Sequence, residues 1–241
     1  MTDAPASIHS FTRRQLLVAG GVGIAVGAIG TEIGHLATES SSTTSSADPP
    51  DVDLMEEHGV LKRVLLIYEE SIRRISVGQP TPMPAIHAGA EIIHDFIEAF
   101  HEALEEGYVF PALRKAGLLV STIDTLLVQH GRGRQLTQLI LAGSGSQPIT
   151  ASNTEQVSSA MAAFVRMYQP HEAREDTVVF PAFRSMLSTD QLNQLGVTFA
   201  DLQRQQFGPN GFSETVTSVA TIERSLGIYD LNQFTPAPAS A

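Results

Sequence analysis

Two segments of the chain carry the same arrangement of potential metal ligands. His101-Glu102-Ala103-Leu104-Glu105 runs on to Val109-Phe110-Pro111-Ala112, and His171-Glu172-Ala173-Arg174-Glu175 runs on to Val179-Phe180-Pro181-Ala182. A histidine and a glutamate four residues apart share one face of a helix, one turn apart. Each cassette therefore offers one imidazole and one carboxylate together. Two more histidines stand in helical sequence: His58 in Glu57-His58-Gly59, and His130 in Gln129-His130-Gly131-Arg132-Gly133-Arg134. A single His-x-x-x-Glu is usually a solvated pair, and a lone core histidine is usually just a satisfied polar residue. Two matching cassettes, with one histidine on each remaining helix, are hard to explain that way.

The chemistry open to such a set is metal binding. The chain has no cysteine, so disulfides, iron–sulfur clusters, thiolate zinc sites and c-type haem attachment are excluded. Imidazole with carboxylate suits iron, manganese or zinc, and two glutamates able to bridge favour a pair of ions. Two octahedral ions need about twelve positions. Four imidazoles fill about four, two bridging glutamates about four and an oxo or hydroxo bridge about two, leaving about two for water, dioxygen or a further ligand. Burying these six side chains without a shared partner would cost several kcal/mol each. The candidate ligands are His58, His101, Glu105, His130, His171 and Glu175.

These residues need helices to hold them, and the sequence supplies a helical pattern. Over residues 52–75, Leu54, Leu61, Leu65, Ile72 and Ile75 recur at three- and four-residue steps, in step with His58. Gly78 and the cluster Pro80, Pro82 and Pro84 are expected to end that helix. A second is expected over residues 88–108, stopping near Pro111. A third is expected over residues 121–141, with Ser121 as its N-cap and Gly143-Ser144-Gly145 as its end. A fourth is expected from about residue 152 to 180, with Pro170 inside it, either kinking it or starting its second half. Further helices fit residues 189–205 and 213–226. No strand-like alternation persists. The pattern predicts an all-α protein, an up-down-up-down four-helix bundle with extra C-terminal helices.

A ferritin-like di-iron bundle needs Glu-x-x-His on two helices. The second helix has Glu98-x-x-His101, but Tyr168 stands three residues before His171. His-Glu-x-x-His, Gly-x-Ser-x-Gly, a P-loop and a dinucleotide-binding glycine motif are also absent.

The chain has 241 residues, 42% of them apolar, and a net charge of −11. That allows one domain with tails, and the acidity argues against a nucleic-acid partner. Residues 1–36 read as an export segment. Arg13 and Arg14 precede an apolar, glycine-rich stretch from Leu16 to Ile29 that is shorter than the ~20 residues of a membrane span. The paired arginines fit a twin-arginine signal and a periplasmic or other extracytoplasmic location, with no stable membrane span. Residues 37–50 form a Ser/Thr/Pro-rich linker. The bundle is expected over 51–187, a helical extension over 188–230 and a flexible tail over 231–241.

The segments FHEALEEGYVFPAL, LLVQHGRGRQLTQLI and MYQPHEAREDTVVFPAF resemble the hemerythrin family, in its bacterial HHE-type branch, from about residue 53 to 183. The resemblance implies a four-helix bundle around two non-haem iron ions with an oxo or hydroxo bridge. It assigns ligand roles to His58, His101, Glu105, His130, His171 and Glu175. In one respect the sequence departs from the oxygen carriers of that family. They have a second histidine one turn after the third-helix histidine, and here Arg134 stands there. An arginine at that point can pair with a carboxylate or steady a bound anion. Glu57 and Glu102 are candidate substitute ligands, although each sits roughly 100° around its helix from the neighbouring histidine. His94, two turns before His101, is a candidate neighbour of the centre, and His87 is expected in a loop. The leading expectation is a di-iron protein that binds or senses dioxygen or iron. The alternatives are a di-iron oxidase, peroxidase or nitric-oxide-handling enzyme at the same site, and a structural bundle that binds zinc or nothing.

Overall fold

A computed structural model describes residues 48–146 and 148–238. The export segment, all of the linker before residue 48 and the last three residues of the tail lie outside the described residues. Those described are overwhelmingly helical, with no strand among them.

The first rod is α1 (Pro50–Ser76). Pro50 sits in its first turn, where a missing N–H costs nothing, and Asp51 and Asp53 lie against the positive end of the helix dipole. Its inner stripe is Leu54, His58, Leu61 and Leu65, all buried. Gly78, at φ 71°, turns the chain out of it.

The second rod differs from the expected helix at both ends. It begins as α2 (Met83–Ile92), with Pro84 in the first turn, so His87 is helical rather than in a loop. It continues through a π-helical stretch, Ile93–His101, α3 (Glu102–Leu104) and a second π-helical stretch, Glu105–Val109, into α4 (Phe110–Lys115). Pro111 does not end the rod. It occupies the first turn of α4, where no N–H is required of it.

The third rod, α5 (Val120–Ser144), starts after Leu119 in a left-handed conformation, φ 52°, so Ser121 is inside the helix and not its cap. Gly143 is also inside it. A Cβ at that position would run into Val157 of the next rod, so glycine permits the close approach.

The fourth rod is α6 (Ala151–Arg174), capped by Thr150, whose side chain accepts from the Asn153 amide. It runs through Pro170 without a break; Tyr168 and His171, on either side of the proline, are both buried. A π-helical stretch, Glu175–Val179, then leads into α7 (Phe180–Ser185).

The rods pack in a ring: α1 on α2, α2 on α5, α5 on α6, and α6 on α1. Two further helices cover one side of that ring. α8 (Thr189–Phe207) opens with a reciprocal capping box between Ser188 and Gln191, and α9 (Gly211–Leu226) packs on α1 and α2. Phe207 meets Phe96 and Phe100, Phe199 meets Tyr108, and Arg63 grips buried Glu223 at 3.0 and 2.5 Å. Leu231–Phe234, expected in the tail, forms one 3-10 turn capped by Asp230. No described helix is long and apolar enough to cross a membrane.

Candidate metal centre

The ring brings the six expected ligands together. Ligand atoms of His58, His101 and Glu105 lie within 4.8 Å of one another, and so do those of His130, His171 and Glu175. All six side chains are buried. The His58 and His101 rings are 4.6 Å apart between centroids, and those of His130 and His171 are 5.0 Å apart. Phe180 stacks on His58 and Phe110 on His130. The repeated Val-Phe-Pro of the two cassettes therefore supplies matching apolar walls to the two halves.

Each histidine is tethered on its outer nitrogen. The Nδ1 of His58 lies 2.7 Å from Asp176, that of His101 2.8 Å from Glu57, that of His130 3.1 Å from Glu106, and that of His171 2.8 Å from the Gln129 side-chain oxygen. An acceptor at Nδ1 fixes the tautomer and leaves the Nε2 lone pair free. All four Nε2 atoms turn to the two carboxylates. Glu105 presents one oxygen 3.7 Å from His101 Nε2 and the other 3.4 Å from His130 Nε2, so it faces both halves. One oxygen of Glu175 lies 3.4 Å from His58 Nε2 and 3.1 Å from His171 Nε2. Both oxygens of Glu105 and of Glu175, with Nε2 of His101 and His130, are buried without a hydrogen-bond partner. Buried polar groups in a folded protein are satisfied, and a cation satisfies all of these at once. The donor set thus fits a metal pair.

The electrostatics are those of a cation site. Burial, then the charges of Glu175 and Glu102, hold Glu105 well above the usual carboxylate range. Glu175 is held low: burial opposes this, but His171 and His58 outweigh it. The carboxylate pair so keeps a proton that a cation would displace. His58, against the effect of burial, is raised to about 9 by its hydrogen bond to Asp176 and by the nearby Glu175 carboxylate.

Arg134 does not stand among the six ligands; it serves two carboxylates beside His130. Its guanidinium donates at 2.5 Å to both Glu102 and Glu106, and Glu102 also accepts from the buried Tyr168 hydroxyl at 2.6 Å. Ligand atoms of Glu102, Glu106 and His130 are close enough to hold an ion, but the guanidinium already serves those carboxylates. Glu57 stands behind His101 and not among the six. His94 stands apart: it is 42% exposed and pairs with its neighbour Asp95. His87 meets Ser144 across α2 and α5.

Sequence reasoning missed the outer acceptors Asp176, Glu106 and Gln129, and it missed the π-helical turns that start at Glu105 and Glu175. The turns had a readable signal. Each cassette has a proline six residues after its glutamate within a rod that continues, and a wider turn accommodates this. The acceptors had none, because Asp176 and Gln129 meet their histidines only across rods.

A helical ring with two buried His/Glu clusters defines a cation-binding protein. The chain belongs to the hemerythrin HHE cation-binding domain family, whose profile matches residues 50–182. Uncharacterized proteins of Mycobacterium tuberculosis and Mycobacterium bovis are each 50% identical to it over 186 residues, 77% of this chain and 73% of theirs. No solved structure matches it.

Proposed function

We propose that this chain holds two non-haem iron ions between His58, His101, Glu105, His130, His171 and Glu175, and uses them to bind or sense dioxygen or iron. The observation that carries this reading is the state of the two carboxylates: both are fully buried, all their oxygens lack hydrogen-bond partners, and four tethered imidazoles aim at them. In the proposed arrangement the four rods alternate up and down, so the two cassettes run in parallel at one depth and the two glutamates bridge. An iron pair supplies redox chemistry and a Lewis-acid anchor for a small ligand. The protein's part is to fix the donors, to exclude bulk water with Phe110 and Phe180, and to release the proton of the carboxylate pair on loading. The export reading rests on Arg13-Arg14 ahead of the apolar stretch, and it places this activity outside the cytoplasm.

A di-iron oxidase, peroxidase or nitric-oxide-handling activity at the same centre is the second reading. Its support is Arg134, which occupies itself with Glu102 and Glu106 and leaves the third rod with one nitrogen donor. Metal analysis with aerobic and anaerobic absorption spectra tests both. Two irons per chain and an oxygen-dependent band that vanishes on deoxygenation support binding. Peroxide turnover with iron cycling supports the enzyme. Purified protein that carries zinc or no metal, and takes up no iron, refutes both.

A further inference from the structure

The two halves of the centre have the same ligand types but differ in what stands behind the ligands. In the first half both imidazoles lean on carboxylates: His58 on Asp176 at 2.7 Å and His101 on Glu57 at 2.8 Å. In the second half that support is weaker. His171 leans on a neutral amide oxygen, Gln129, at 2.8 Å. His130 reaches Glu106 at 3.1 Å, and the same Glu106 oxygen takes a 2.5 Å hydrogen bond from Arg134.

The wider surroundings point the same way. Behind the first half stand Glu57 and Asp176, and the pair of Glu172 with half-exposed Lys62, 3.4 Å apart, lies near His58. Behind the second stand Glu102 and Glu106, both gripped by the partly buried Arg134. A carboxylate at Nδ1 draws the ring proton outward and makes Nε2 a stronger donor. An amide, or a carboxylate already serving a guanidinium, does so less. A fixed positive charge near the second half also opposes a further cation there.

We infer that the two metal positions are inequivalent: the cation held by His58 and His101 is the tightly bound one, and the cation held by His130 and His171 is the exchangeable one. This rests on the two-ion reading above. It adds that the second position fills last and empties first, and that Gln129 and Arg134 set this order.

The test is chelator-driven release from cobalt(II)-loaded protein, followed by the cobalt absorption bands. Wild-type protein is expected to lose its two ions in a fast and a slow phase. Gln129→Glu places a carboxylate behind His171 and is expected to slow the fast phase about 10–100-fold, leaving the slow one in place. Glu57→Gln is expected to speed the slow phase by a similar factor and leave the fast one; it stands alone if Gln129→Glu does not fold. A single release rate for both ions in wild type, or a Glu57→Gln protein in which the fast phase changes and the slow one does not, overturns the assignment while leaving the two-ion reading intact. Fewer than two cobalt ions per chain at saturation overturns both.

Discussion

Glu105→Gln should have opposite effects on the metal-free and metal-loaded protein. In the metal-free protein Glu105 is fully buried beside Glu175, and neither of its oxygens has a hydrogen-bond partner. Burial and the neighbouring acid favour its protonated form in the fold, while in the unfolded chain it ionises near 4.5. A carboxyl with a raised folded value is a stability term that is fully present below 4.5 and is lost as pH rises toward the folded value. At pH 8, far above the unfolded value, the wild type has lost much of it. The amide of the variant has the same shape, never ionises and can donate to Glu175. Relieving one unsatisfied buried group is worth about 1–3 kcal/mol. For a chain of this size that is a rise of roughly 2–12 °C in melting temperature. The gain should shrink at pH 4.5, where the unfolded carboxyl is half protonated. Loaded protein should show the reverse, because the amide bridges two cations poorly, and bound metal should fall below two per chain. The assay is thermal unfolding at pH 8 and pH 4.5, with and without metal, alongside metal analysis. A metal-free Glu105→Gln protein less stable than wild type at pH 8 refutes the reasoning, as does a variant that retains two ions at wild-type affinity.

Removing metal from the wild type should itself destabilise it. Each ion at a hundredfold excess over its dissociation constant is worth about 2.7 kcal/mol, so chelation should lower the melting temperature by roughly 10–20 °C for two ions; equal melting with and without metal counts against a cation centre. Glu98 is raised to about 7 by burial and then by Glu102, so the metal-free protein should lose roughly 3 kcal/mol as pH rises from 4.5 to 7. Glu98→Gln should flatten that part of a denaturation-versus-pH curve, and an unchanged slope sinks the assignment. Gly133→Ala should cost about 1–3 kcal/mol, measured by urea unfolding, because the added methyl overlaps the Tyr168 hydroxyl that donates to Glu102. Arg134→His frees Glu102 and Glu106 and adds a nitrogen donor. It should move iron-loaded protein toward reversible oxygen binding, and unchanged autoxidation counts against that.

The cassettes and periodicity were enough to read an all-helical chain, the six candidate ligands and the first rod's inner stripe of Leu54, His58, Leu61 and Leu65. Residue type and spacing set which face of a helix a side chain occupies, and that is local information. Proline was the weakest guide. Pro111 and Pro181 fall in the first turn of α4 and α7, each after a π-helical stretch, and Pro170 lies inside an unbroken α6. A local rule about a missing N–H does not foresee a turn widened ahead of Pro111 and Pro181; Pro170 lies inside the helix, as its place in the expected segment implied.

What stands behind each ligand was decided only by tertiary structure. Asp176 reaches His58 from 118 residues away, and Gln129 reaches His171 from 42 residues away. Arg134 faces Glu102 and Glu106 because α5 and the second rod meet in that register, although the sequence left open whether it would pair with a carboxylate or face a bound anion. Spacing along one helix determines a ligand's own direction, whereas its charge environment is a sum over neighbouring rods and exists only once they have packed.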